Sequence, residues 1–120
     1  MKNITAAVVA ATTLLAATAA FAQSPYGTWT RPSNGTKVEF YECGGELCAK
    51  VISSQNKASV GKIIMSGAAK TGANTWNGDL LNTEDGKTYS GVVTLEGPKA
   101  LNLKGCVLGG IICKGETWVK

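Results

Sequence analysis

The chain has 120 residues, 44% of them apolar, with 12 basic and 8 acidic side chains, four cysteines and no histidine. Without histidine the commonest general base, the usual activator of a nucleophile and the commonest transition-metal ligand are all missing. The lysines are scattered from Lys37 to Lys120 with no run and no nucleic-acid motif, so nucleic acid is excluded as a partner and the net charge of +4 reads as a solvated surface.

Residues 1–22 read as a cleavable secretory signal. Lys2 precedes an Ala, Val, Leu and Thr run from Ala6 to Ala20, and Ala20-Phe21-Ala22 is a small-x-small site. The run is interrupted by Thr12, Thr13 and Thr18 and falls short of the roughly 20 strongly apolar residues of a membrane span. Gln23 follows the site, so no cysteine is placed there for lipid attachment. The expectation is one domain over residues 23–120, periplasmic or secreted, not membrane-anchored after cleavage. Asn34-Gly35-Thr36 matches a glycosylation acceptor, which matters only in a eukaryotic secretory pathway.

Turn-forming Gly, Asn, Ser, Asp and Pro clusters recur about every ten residues, and the runs between them are short and β-branched. Strands are expected near Tyr26 to Thr30, Thr36 to Glu42, Leu47 to Ile52, Thr75 to Leu81, Thr88 to Leu95, Ala100 to Lys104 and Ile111 to Val119, with Ile63 to Met65 as an eighth. This predicts an all-β chain folded as a sandwich or a closed or nearly closed antiparallel barrel of about eight strands. Alternation puts Val38, Phe40, Ala49 and Val51 on one face, and Lys37, Glu39, Tyr41 and Lys50 on the other, with Cys43 and Cys48 on that polar face. Trp76, Gly78 and Leu80 share a face, as do Tyr89, Gly91, Val93 and Leu95; inward glycines let a small barrel bend and close.

Each cysteine pair brackets a double glycine, Cys43 to Cys48 and Cys106 to Cys113, in an even count that fits an oxidising compartment and allows three connectivities. Chain entropy favours long-range pairing, at about 4 kcal/mol against roughly 2 to 2.5 for the short loops. Hairpin geometry favours Cys43 with Cys48 and Cys106 with Cys113, and we expect the local bridges. Four and six intervening residues suit a zinc knuckle poorly, and no C-x-x-C redox motif occurs, so no metal and no cofactor are expected. With Cys106 opposite Cys113, Leu103 falls on the face of Lys114 and Glu116, which predicts a bulge near Gly105 or Gly115. Ser53 to Gly72 lacks clear alternation and reads as a solvated connection carrying one short strand at Ile63 to Met65, with a functional cover over a barrel mouth as the alternative.

The series Gly27-Thr28-Trp29, Val38 through Cys43 to Leu47-Cys48, Gly61-Lys62-Ile63-Ile64, Trp76-Asn77-Gly78, Gly86-Lys87-Thr88-Tyr89, Leu101 to Cys106 and Cys113 to Thr117-Trp118 resembles the exported bacterial proteins of the DUF2147 family across nearly all of residues 23–120. The resemblance implies a lipocalin-like barrel without an assigned biochemical function. Gly27-Thr28-Trp29 is similar to the G-x-W signature of lipocalin first strands, whose tryptophan is covered by a basic residue from the last strand. Lys120 stands at that basic position.

For function, Glu84 and Asp85 lie in a turn-like Asn82-to-Gly86 segment, where carboxylates seldom gain the burial that acid–base work needs, so no catalytic residue and no enzyme are expected. The first reading is a binding module for a small apolar or amphipathic ligand held at one mouth, with Trp29, Phe40, Trp76, Tyr89 and Trp118 as candidate lining. The same five side chains are needed to fill so small a barrel. The alternative is a protein-interaction module of the envelope, an inhibitor or a stress or structural factor, with a filled barrel and no small ligand.

Overall fold

The computed structural model describes residues 24–120. The expected signal and its cleavage site lie outside the described residues. Eight strands follow in chain order: β1 Gly27–Thr30, β2 Lys37–Cys43, β3 Glu46–Ser53, β4 Ile63–Gly72, β5 Thr75–Asn82, β6 Lys87–Gly97, β7 Ala100–Val107 and β8 Ile112–Val119. Each pairs antiparallel with the next, and β8 returns to β1 to close a barrel. The fold is the all-β, closed, eight-stranded form expected.

The hairpins explain the topology. At the β2–β3 turn Gly44 and Gly45 have φ of 61° and 83°, the left-handed pair that matches the twist of the flanking strands. Cys43 bonds to Cys48 and Cys106 to Cys113. The first bridge lies on the outer face: Cys48 is opposite Tyr41 and, although buried, stands outside the core cluster.

Two expectations are corrected. The segment after Ser53 is mostly strand: a short connection with a 3₁₀ turn at Lys57–Ser59 leads into ten residues of β4. Its alternation is hidden because the β3–β4 ladder shifts register twice, which lets the adjacent Ile64 and Met65 both be buried, with small Ala68 as the next inward residue. The bulge expected near Gly105 or Gly115 is absent. The β7–β8 ladder runs without a register shift from Ala100↔Val119 to Val107↔Ile112, with Leu103 opposite Glu116 and Gly105 opposite Lys114. The inner face of β8 therefore carries Lys114 and Glu116, and the site is built on that.

The barrel ends differ. The N-terminal segment, the β2–β3, β4–β5 and β6–β7 turns and the end of β8 gather at one end, which is packed by Trp29, Phe40, Leu47, Met65, Leu101 and neighbouring side chains. Trp29 is fully buried, its Nε1 donates to the Pro25 carbonyl at 2.8 Å, and the Lys120 ammonium lies 4.9 Å from its ring centroid while donating to the Tyr26 carbonyl at 2.8 Å. The G-x-W tryptophan is thus covered by lysine from the end of the chain. The β1–β2, β3–β4, β5–β6 and β7–β8 connections gather at the other end, which is open.

Candidate functional site at the open end of the barrel

Above the packed half the strands enclose a cavity of about 360 Å³. Val38, Val51, Ile64, Leu80, Leu103 and Trp118 supply its apolar wall, and Trp118 meets Phe40 edge-on, ring centroids 6.1 Å apart, so the floor is the top of the core. Its rim is polar: Arg31 and Thr36 from the first connection, Asn82 to Asp85 from the β5–β6 turn, Tyr89 from β6, and Lys114 and Glu116 from β8.

Arg31 organises one side of the rim. Its Nε and Nη2 donate to the two oxygens of Glu116 at 2.5 and 3.0 Å, and its Nη1 lies 3.2 Å from a Glu84 oxygen. The fork to Glu116 is bidentate, the strong form of this pair. Glu116 also accepts from the Trp118 indole at 2.8 Å, so the guanidinium is tied through one carboxylate to the cavity floor. The hydrogen bond from Arg31 holds the Glu116 carboxyl below the usual carboxylate range against the opposing effect of burial, and the Arg31 guanidinium is raised mainly by the same bond. On the opposite side the Tyr89 hydroxyl donates to Asp85, which lowers the carboxyl and raises the phenol. Both carboxylates are held ionised and hydrogen-bonded, the wrong state for a general acid. Among the described residues no three His, Cys, Asp or Glu side chains cluster as metal ligands.

The five aromatic candidates divide between the two halves. Tyr89 and Trp118 face the cavity; Trp29, Phe40 and Trp76 belong to the core and do not line it. Arg31, Thr36, Lys114 and Glu116 are the rim residues that sequence reasoning missed. The signal was present, since strict alternation already placed Lys114 and Glu116 on the face of Leu103.

A closed antiparallel barrel, packed at one end and open at the other, is a lipocalin-like fold. In fold it is similar to protein HP1028 from the human pathogen Helicobacter pylori, described as belonging to the lipocalin family, with a TM-score of 0.63 and 23% identity over 78% of this chain and 79% of that one. No curated protein matches the chain. Residues 27–120 match the family described as "Uncharacterized protein conserved in bacteria (DUF2147)", and the chain belongs to that family.

Proposed function

We propose that this protein is an exported, non-enzymatic binding module that takes one small apolar or amphipathic molecule into the open half of its barrel. The half-filled interior carries the reading: about 360 Å³ lies over an apolar floor that includes Trp118, within the range of roughly 300–1,000 Å³ usual for small-ligand sites. An interior filled throughout is what the protein-interaction reading needs, and the upper half does not fit it. Two disulfides and a bacterial family suit an oxidising compartment outside the cytosol. The polar end of an amphipathic ligand is left at the rim among Thr36, Asn82 and Lys114, where it stays hydrated.

Titration with the neutral probe N-phenyl-1-naphthylamine tests this. Saturable one-site binding is expected, with a change in tryptophan emission from Trp118 and a melting temperature that rises with probe concentration. Val51→Phe and Leu80→Phe each occupy cavity space and are expected to weaken binding at least ten-fold while far-UV circular dichroism is unchanged. Equal binding by both folded variants, or no binding by the parent, rejects the proposal.

A further inference from the structure

Exposed apolar side chains are not spread evenly over the barrel. Among the described residues, Tyr26 and Val119 are the exposed large apolar residues at the packed end, whereas the others ring the open end. Val60 and Ile63 stand at the β3–β4 connection, each 45% exposed. On the opposite side of the rim, four strands around, the β7–β8 tip presents Leu108, Ile111 and Ile112 at 68%, 83% and 55% exposure. Isolated exposed aliphatic residues need no explanation, but three of them within five residues of one tip are a candidate contact surface. Leu108 adds a second observation. Its φ is 55°, a backbone conformation that glycine or asparagine adopts most readily, yet the position carries a leucine whose side chain points to water.

The charge around this rim is matched to one kind of surface. Both ion pairs among the described residues belong to Arg31, and they engage Glu84 and Glu116; Asp85 accepts from Tyr89 and from the Lys87 amide. Glu84, Asp85 and Glu116 at the mouth are thus engaged, while Lys57 and Lys62 beside Val60 and Ile63, and Lys114 beside Ile112, like the other lysines among the described residues, have no ion-pair partner. The packed end mixes its lysines with Glu42, Glu46 and Glu96. Aliphatic side chains interleaved with unpaired lysines suit a bilayer, where the former enter the headgroup boundary and the latter attract anionic lipid. The core of a protein interface is instead poor in lysine and rich in aromatic residues. Two apolar clusters on opposite sides of a ring also meet a flat surface together.

We infer that the open end of the barrel docks reversibly on an anionic lipid surface, with the β7–β8 tip and the β3–β4 connection in contact and the cavity facing the headgroups. This docking stands whether or not the cavity takes a ligand, and its test is separate. The exported, oxidised protein is sedimented with vesicles of phosphatidylglycerol and phosphatidylcholine in equal parts, and with phosphatidylcholine alone. Binding is expected on the anionic vesicles, at least ten-fold weaker on the neutral ones and in 0.5 M salt, on the order of what screening of several lysines produces. Leu108→Asn/Ile111→Ser and Lys57→Glu/Lys62→Glu are each expected to lower vesicle affinity at least ten-fold, and Val119→Thr at the packed end to leave it unchanged. None of these positions lines the cavity, and an unchanged far-UV circular dichroism spectrum and melting temperature report the folding of all three variants. Failure of the parent to sediment with anionic vesicles overturns the inference, as does equal sedimentation of the rim variants and Val119→Thr. Capture of a protein by the rim without vesicle binding overturns it too.

Discussion

Glu116 faces the barrel interior because the β7–β8 ladder keeps strict alternation, and an inward carboxylate on a small barrel needs a partner. Arg31 supplies it from the far side of the β1–β8 seam. The folded-state value of this carboxyl is depressed below its ordinary value of 4.5, so the pair contributes stability that is fully present above the unfolded value and is lost as pH falls through the folded one. Glu116 is partly exposed, which discounts the contribution to about 0.5–1 kcal/mol. Glu116→Gln is therefore expected to lower the unfolding free energy from urea titration at pH 7 by that amount, and the gap to the parent to close at an acidic pH below the folded-state value, where both lack the charge. A gap that stays constant between the two pH values assigns the effect to packing. At this scale legibility was uneven. The Trp29–Lys120 contact was readable from the G-x-W resemblance, and the inward Glu116 was readable from the pleat but was set aside, because burying a carboxylate is costly unless a partner distant in sequence is known.

The middle of the β5–β6 hairpin shows what the inward glycines do. Gly78 and Gly91 are directly opposite, and a Cβ on Gly91 would come within 2.7 Å of both the Gly78 carbonyl oxygen and the Leu80 Cβ. A Cβ on Gly78 would lie 2.8 Å from the Ala68 Cα, so β4, β5 and β6 approach here too closely for any side chain. Gly91→Ala is expected to cost about 1–3 kcal/mol in chemical denaturation, the usual range for overpacking. A change under a few tenths would mean that the corner has room to yield. Alternation located this corner in the sequence, and the turn glycines located the β2–β3 hairpin. It failed for β4, because two register shifts erase the period of two and because Gly67 and Ala68 give little hydropathy contrast.

For the molecule as a whole, about eight strands were legible from turn spacing, which left a sandwich or a barrel open; the inward glycines and the family resemblance pointed to the barrel, and the aromatic residues were legible as interior. How they are shared was not: three go to the packed half and two to the cavity, which depends on strand stagger and on Pro25, buried where its carbonyl accepts from the Trp29 indole. The division predicts uneven stability. Amides of Phe40 and Leu101 are expected to exchange only on global unfolding, whereas the amides of β8 between Ile112 and Glu116 exchange through local opening. Native-state hydrogen exchange measures both, and uniform protection along β8 would contradict the assignment. Removing the Cys106–Cys113 bridge as Ser/Ser extends the fast exchange to all of β8, at a cost of about 2.5 kcal/mol from the closed-loop entropy.

Among the described residues β8 joins β1 by the single pairing Thr30↔Val119, whereas every other neighbouring pair shares a ladder of several rungs. The cylinder therefore has one loosely laced slit running down from its mouth, bridged by a guanidinium and a carboxylate in place of amide rungs. Its girth is adjustable along that line first, and widening the mouth there unlaces one ion pair instead of bending the hairpins.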